Sequence, residues 1–598
     1  MCPLTLGRRP FRRRAFLQAF CVVALSFSST LFAQQVDLAW DPSPDSTVIG
    51  YRIHYGPSSG TYPSVIDVGN NTSATVSNLP TDTTYFVVTA YDADALESDP
   101  SNEVSFTPSQ PPPNQSPTVS LSSPEATVTL VAPAALDLLA AASDPDGTVA
   151  RVEFYNGATK LGELTSAPYS LSLASLSSGT YSFTAIAYDD KGASTASTPL
   201  TITISAPQPV IGSVALGSGG IYQIAVNAEA GHTYTIAASN DLGSWSTLGT
   251  VQTTSGTTVF NDSTASSLPQ RFYRVSDGTF VSRISGFTKL TLRGASKKQT
   301  SQLTYLSIPL TNPTAYTGSI SSFGVATITD ANASWPDAQF NLPTGQFYLE
   351  ITSGPNAGLT ADIVGTDGPG KTLTLGEDLS PALQGGEQFV VREQRTLANV
   401  FGAANSAQLK SGSSVKLADE VQIFDPVNQT VLQYYYQTGA ATGGTGWRSA
   451  TDPSTDAGST ILYLEQGLIV CRKNPGNLNL LVTGEAKTGP TLIPIGVNNT
   501  LVANCYAGGQ LTLQNSGLYT GNGSTGLTSG SNASSADNVQ LFDGQALTTY
   551  YYRSGSGWRR SGDTTRDAGG TPILPGTSFY VTRKAGRAPF TWAAQQPF

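Results

Sequence analysis

The sequence predicts an all-β protein assembled from several small sandwiches, and three observations carry that prediction. Apolar residues recur in short alternating runs, such as Val36-Asp-Leu-Ala-Trp40 and Gly50-Tyr-Arg-Ile-His-Tyr-Gly56, with the two-residue period of a half-buried strand. Glycine (59), proline (37), serine and threonine punctuate those runs, while charged residues make up only 12%, the composition of turn-rich β domains rather than of helical or disordered protein. No long amphipathic helical period appears after the N-terminus. At 598 residues the chain exceeds what one core fills, and domains of roughly 100–200 residues imply several units.

The first 33 residues set the compartment. Arg8, Arg9, Arg12, Arg13 and Arg14 precede an apolar run from Ala15 to Ala33, the layout of a cleavable secretory leader. Arg13-Arg14-Ala-Phe-Leu17 resembles a twin-arginine export signal, with Arg12 where such signals carry Ser or Thr. An uncleaved anchor is the alternative, since the run approaches the ~20 residues of a membrane span. Cleavage removes five arginines and no acidic residue, taking the net charge from −10 to −15. So acidic a surface argues against nucleic acid and anionic lipid as partners.

Residues 34–108 alternate cleanly, with Trp40, Tyr51, Ile53 and Tyr55 on the inward beat, followed by Leu79-Pro-Thr-Asp-Thr-Thr-Tyr85 and Ser101-Asn-Glu-Val104. This stretch resembles a fibronectin type III domain, Leu79, Pro80 and Tyr85 matching the turn in which that family's tyrosine hydroxyl bonds back to the backbone. It lacks Arg-Gly-Asp, so integrin-type adhesion does not carry over. The proline-rich segment 109–117 is a semi-rigid spacer. Residues 118–205, with Val152-Glu-Phe-Tyr155, Pro168-Tyr169 and Tyr188-Asp-Asp190, resemble a bacterial immunoglobulin-like domain. Asp144, Asp146, Asp189 and Asp190 are candidate ligands for calcium, which needs several oxygens held by a turn; the alternative is that Asp and Gly here only shape turns. A smaller unit spans 210–277, and Gly-punctuated strands over 283–395 predict a small antiparallel barrel or sandwich.

The C-terminal third repeats itself, as copy 1 over 396–490 and copy 2 over 500–598. Asp419-Glu-Val-Gln-Ile-Phe-Asp425 recurs as Asp537-Asn-Val-Gln-Leu-Phe-Asp543. A tyrosine triplet (434–436, 550–552), Gly-Trp-Arg (446–448, 557–559), Asp-Ala-Gly (from 456 and 567) and Val-x-Arg-Lys (470–473, 581–584) follow in each copy. The offset falls from 118 (Asp419 to Asp537) to 111 (Arg472 to Arg583), so the copies differ by loop length and share one set of core beats. Residues 283–598 resemble an uncharacterised secreted-protein family of verrucomicrobial bacteria, a likeness that implies no activity. Cys471 and Cys505 are a candidate disulfide in an exported chain; two buried thiols are the alternative, because the repeat sets Thr582 against Cys471 and Val400 against Cys505.

The sequence holds no catalytic constellation. His54 and His232 fall in different domains, neither beside a metal-ligand set, and no Gly-x-Ser-x-Gly, phosphate-binding or dinucleotide-binding loop is present. Glu350, Glu377, Asp378, Glu387 and Glu393 keep a glycosidase as a minor alternative, since that chemistry needs only two carboxylates. The repeated aromatics are the best candidates for a site. Tyr434, Tyr436, Trp447, Tyr550, Tyr552 and Trp558 offer flat platforms for a sugar ring, with Arg448 and Arg559 as hydrogen-bond donors. Core packing is the competing role, and Asp456 and Asp567 read as turn formers. The expectation is a secreted or cell-surface, non-catalytic protein that engages a glycan or another envelope component through the repeat, with a purely structural role as the alternative.

Overall fold

The computed structural model describes residues 21–24, 35–108, 112–127, 130–254, 256–296, 299–341, 346–439 and 443–598. Most of the expected leader and part of the proline spacer lie outside these residues; within the leader only Cys21–Ala24 is described, as a strand antiparallel to Val36–Trp40. The chain is all-β, and among the described residues the one α-helix is the single turn Leu397–Phe401. It divides into two compact units: 1–124 with 137–172 and 182–201, and 125–136 with 173–181 and 202–598. The division runs through the second sandwich.

In the first unit, Val48–Gly56 sits between Ser64–Gly69 and Thr84–Asp92 in a four-stranded sheet, and Val36–Trp40 pairs with Ser73–Val76 in the other. Trp40, Tyr51, Ile53, Phe86 and Val88 fill the space between them. The alternating burial of Val36–Trp40 is the period read from the sequence. Here the Tyr51 hydroxyl accepts a bond from the Ser43 N–H at 2.6 Å, while the Tyr85 ring lies half-buried. Further along the same unit, Val149–Asn156 pairs with Thr159–Leu164 on one side and with Gly179–Asp189 on the other, burying Val152 and Phe154.

The second unit is organised by the repeat. Copy 1 comprises β1 (Ser285–Leu292), β2 (Gln302–Leu306), β3 (Glu420–Asp425), β4 (Thr430–Gln437), β5 (Gly446–Ser449), β6 (Leu468–Arg472) and β7 (Leu478–Ala486). Copy 2 comprises β8 (Thr491–Ile495), β9 (Asn499–Ala503), β10 (Asn538–Phe542), β11 (Leu547–Arg553), β12 (Gly557–Arg560), β13 (Ser578–Thr582) and β14 (Phe590–Ala594). The five-stranded sheets have one order, β2-β6-β3-β4-β5 and β9-β13-β10-β11-β12, and β1 pairs β7 as β8 pairs β14. Each copy closes its own core, Leu468, Val470, Tyr436 and Trp447 in the first and Phe579, Val581, Val539 and Trp558 in the second.

Copy 1 therefore does not begin at 396. Its first two strands come from 285–306, and a separate domain is inserted after them. Copy 2 passes from Ala507 to Gln510 through two glycines, whereas copy 1 carries 312–393 between the corresponding points. The registers of β2 on β6 and β9 on β13, and the matching turns Thr396-Leu-Ala-Asn399 and Thr512-Leu-Gln-Asn515, fix that correspondence. The inserted domain is a seven-stranded antiparallel sheet with its own core of Phe340, Leu349, Ile363, Leu373 and Phe389. Upstream, the 210–277 unit has no sheet boundary with copy 1, because Gln270–Ser276 pairs directly with β1.

The copies pack on the faces turned away from their cores. Phe424, Ile469 and Leu501 meet there with Tyr305 and Tyr580, the Phe424 and Tyr580 rings edge-on at 5.5 Å. The Ser307 N–H donates to Gly576 O at 3.1 Å and the Ala503 N–H to Glu465 O at 2.9 Å. Ser307 corresponds to Ala503 and Glu465 to Gly576, so this is one contact made twice with the copies exchanged, the signature of an isologous interface. Gly467 must be glycine, since a Cβ there would stand 2.6 Å from that of Ser578, its counterpart across the interface.

Candidate functional site

The repeated aromatics are core. Trp447 and Trp558 are each 1% exposed, Tyr436 7% and Tyr551 1%. Tyr436 and Trp447 meet edge-on at 5.6 Å, as do Tyr552 and Trp558 at 5.7 Å. Tyr434 and Tyr550, half-buried, pack against the same cores, because their register opposite Val421 and Val539 turns them inward. Tyr552 is half-buried and covered on one face by Tyr519, stacked at 3.5 Å. The expected sugar platform is thus not assembled. Alternation does send Tyr435 and Tyr551 to the opposite face, but both are buried there too.

The repeated polar residues have the same kind of task. Arg448 is buried and spends its donors on Trp447 O, Gly443 O, Gly444 O and Asp456 Oδ1. Arg559 donates to Trp558 O, Thr564 O and Asp567 Oδ1, so the arginine of Gly-Trp-Arg and the aspartate of Asp-Ala-Gly form one pair in each copy. The buried Asp419 accepts from the Lys410 and Lys473 N–H groups and from Arg472; the buried Asp537 accepts from the Thr528 and Lys584 N–H groups and from Arg583. Each carboxylate ties the strand carrying it to the strand carrying Val-x-Arg-Lys. A motif repeated at unequal offset signals such a pair, and sequence reasoning missed it by treating the two halves separately.

The other candidates are also placed elsewhere than expected. Cys471 and Cys505 are free, buried thiols rather than a disulfide. Cys471 lies on β6 of copy 1, and Cys505 follows β9 of copy 2, where its counterpart by register is Pro309, not Val400. Burial pushes both thiols up in pKa, that of Cys505 to about 12. Of the four aspartates, Asp144 and Asp190 approach each other beside Gly147, where a Cβ would stand 2.5 and 2.4 Å from their carboxylate oxygens. Asp146 pairs with Lys191 at 2.7 Å and accepts from the Gln115 N–H, and Asp189 accepts from Asn114 and the Lys191 and Ala193 N–H groups. Among the described residues no group of three or more His, Cys, Asp or Glu side chains is arranged to hold a metal ion.

Where copy 1 receives the inserted domain, Glu350 and Glu377, two of the carboxylates named above for a glycosidase, lie in a cluster of charged groups. Glu350 lies between Lys487 and Arg392, and Arg392 also faces Glu485 at 3.5 Å. Burial alone would raise the Glu350 carboxyl; Lys487 and Arg392 outweigh it and hold the group below its ordinary pKa. Beside them Tyr463 donates to Asp362 at 2.9 Å, as does Gln394 at 2.7 Å. Glu465 is raised by burial and by the nearby Asp362 and Glu377, and Glu377 by burial and Asp362. This cluster locks the insert onto the module: Glu350 and Arg392 come from the inserted sheet, Glu485 and Lys487 from β7 and the residue after Ala486. The histidines sit beside carboxylates, His54 Nε2 lying 2.8 Å from Glu97 and His232 Nε2 3.6 Å from Glu229.

With this geometry in place, comparison with known proteins gives two matches of family. Residues 24–107 match the fibronectin type III domain family, and residues 117–185 match a bacterial Ig domain family. The N-terminal third is a tandem of these two domains. No curated protein matches the chain in sequence. Similar solved structures include fibronectin(III)-like modules of Clostridium thermocellum CbhA, with 27% identity, 15% of this chain, 96% of that one and a TM-score of 0.14. Carbohydrate-binding modules of the β-sandwich superfamily share 13% identity over 63% of this chain and 99% of theirs, with a TM-score of 0.15. A bacterial ice-binding adhesin shares 11% over 42% and 88%, with a TM-score of 0.19. With TM-scores this low, nothing is carried over from them. No helix among the described residues is long and apolar enough to cross a membrane.

Proposed function

We propose that this is an exported, non-catalytic structural protein of the cell envelope or extracellular matrix, in which the fibronectin type III and Ig-like domains carry an interlocked C-terminal body. The observation behind this reading is the burial of Trp447 and Trp558, the two rings best suited to a sugar platform, at 1% exposure each. A carbohydrate site built on stacking needs an accessible ring face. The strand-tying pairs Asp419–Arg472 and Asp537–Arg583, the isologous seam and the neutralised Glu350 give the repeated and buried polar residues a mechanical purpose in place of a chemical one. The arginine-rich leader and the domain families at the N-terminus fit a role outside the cytoplasm.

The test is fractionation of the native host with antibody to the mature protein, together with a neutral-glycan array and a reducing-sugar assay on isolated envelope polysaccharide. The expected result is protein in the envelope or matrix fraction, no retention on neutral glycans and no sugar released. Cytoplasmic location, neutral-glycan retention or sugar release would each overturn the reading.

A further inference from the structure

We propose that copy 2 carries a binding site for an acidic polysaccharide, centred on Arg553, Arg560 and Arg566. This goes beyond the structural role, which stands whether or not the site exists. The copies share a fold, so positions matched by register can be compared one by one. Gln437 pairs with Gly446 as Arg553 pairs with Gly557, and Tyr434 pairs with Ser449 as Tyr550 pairs with Arg560. Counting back from the paired Asp456 and Asp567 sets Thr455 against Arg566. Copy 2 has therefore arginine at three positions where copy 1 has Gln, Ser and Thr. Residues 437–456 contain one arginine against two aspartates; residues 553–567 contain four against two.

A basic patch on a chain of pI 4.8 and net charge −10 is a local departure from its own background. The patch is also arranged. Arg553 Nη1 and Arg559 Nε converge on one carbonyl, Thr564 O, at 3.4 and 3.2 Å, which holds two like charges side by side. Arg560 is exposed and the Arg566 side chain is 89% exposed. Among the described residues Arg566 pairs with Asp563 at 4.0 Å, while Arg559, its side chain 12% exposed, is held by Asp567 at 3.4 Å.

The exchange costs the fold something. In copy 1 the Tyr435 hydroxyl donates to Gln437 Oε1 at 3.0 Å, and Gln437 in turn donates to Gly444 O. With Arg553 in that place, the Tyr551 hydroxyl, on a residue 1% exposed, finds no hydrogen-bond partner among the described residues, and neither does Asn538 Oδ1 beside it on β10. A buried hydroxyl left unpaired is a loss with no return inside the module. The return lies outside, in guanidinium groups whose planar donors match carboxylate and sulfate oxygens two at a time.

Polysaccharide is favoured over other polyanions by what surrounds the arginines. A single-stranded nucleic acid would look for a free aromatic face, yet Tyr552 is stacked under Tyr519 and edged by Trp558. The net negative charge repels dense polyelectrolytes at long range, whereas contact with sparsely spaced sugar acids acts within a screening length of about 8 Å.

The experiment measures retention of the mature, full-length protein on immobilised polygalacturonate, κ-carrageenan and neutral dextran in 0.15 M NaCl. Retention on one or both acidic polymers and none on neutral dextran is expected, the two acidic arms separating carboxylate from sulfate preference. The variant Arg553→Gln/Arg560→Ser/Arg566→Thr, which restores the copy 1 residues, should bind at least tenfold more weakly and melt no lower than the native chain. Arg566→Thr alone, at an exposed side chain, should weaken binding severalfold and guards against a folding defect in the triple variant. The control Lys410→Gln/Lys416→Gln should leave binding within twofold. Absence of retention on both acidic polymers, equal retention of native and triple variant, or equally tight binding to duplex DNA or to phosphatidylglycerol vesicles would overturn the proposal.

Discussion

Replacing Asp537 with alanine tests the central claim about the repeat, that its polar motifs exist to tie strands together. The Asp537 side chain is 0% exposed and accepts from the Thr528 and Lys584 N–H groups at 2.9 and 2.8 Å. Its other contacts are the guanidinium groups of Arg583 at 2.8 Å and Arg587 at 2.6 Å. Removing it leaves Arg583, whose side chain is 1% exposed, as an unpaired buried cation. Losing one partner of a buried pair costs about 3–5 kcal/mol. At roughly 1.4 kcal/mol per decade, amides of β10 and β13 that exchange through opening of the module should exchange about a hundred to several thousand times faster. Hydrogen exchange read by mass spectrometry reports this peptide by peptide, which matters in a multidomain chain without a single unfolding transition. The comparison is Asp567→Ala, whose carboxylate is 67% exposed and whose loss should cost about 0–1 kcal/mol. The double variant Asp537→Ala/Arg583→Met should recover part of the loss, because the stranded charge goes with its partner. Asp537→Ala exchanging within threefold of the native rate, or no faster than Asp567→Ala, would refute the reasoning.

Three further outcomes are expected. Glu465, raised by burial and by Asp362 and Glu377, binds its proton more tightly folded than unfolded, so its contribution to stability is fully present below its unfolded pKa, is lost as pH rises through the folded pKa, and is level above that. Glu465→Gln should accordingly raise the melting temperature at pH 7 and bring no gain near pH 4; a gain independent of pH would remove the carboxylate as the cause. Cys471 and Cys505, buried and raised in pKa, should fail to react with a thiol reagent in the native chain at pH 7.5 and react fully in guanidinium, and blocked thiols after denaturation would instead indicate a bond between them. Millimolar calcium should leave the melting of the Ig-like domain unchanged, since Asp146 and Asp189 are already engaged; an upward shift lost in Asp144→Asn would reinstate a metal there.

The strands of both copies were legible because side-chain period, triplet spacing and paired motifs repeat in register, and the fibronectin-like and Ig-like domains were legible for the same reason. The interruption of copy 1 was not. β2 and β9 share a place in their sheets yet only Thr304 and Thr500 agree in identity along them, so nothing in Gln302–Leu306 announces that it belongs with residues more than a hundred positions on. The candidate site failed for a different reason. Alternation says which tyrosines share a face but not what covers the other face, and here the turns bearing Arg448 and Arg559, with Gln437 in copy 1, bury the face that a lone hairpin would expose.

The two copies have since been free to differ in ways that a single module could not. An isologous seam needs the faces around Tyr305, Phe424, Leu501, Phe542 and Tyr580 to be kept. Copy 1 has used its freedom between β2 and β3, taking in a whole domain and closing over it with Lys487, Arg392 and Glu485 around Glu350. Copy 2 keeps two glycines at that point and has changed instead at β11 and β12, where arginines replace the residues that satisfied the buried tyrosine of copy 1. Insertion needed a tolerant connection, and the arginines needed a module whose stability could absorb an unpaired hydroxyl. The buried Asp537 has four donors against the three of Asp419, an added tie in the copy that carries the loss.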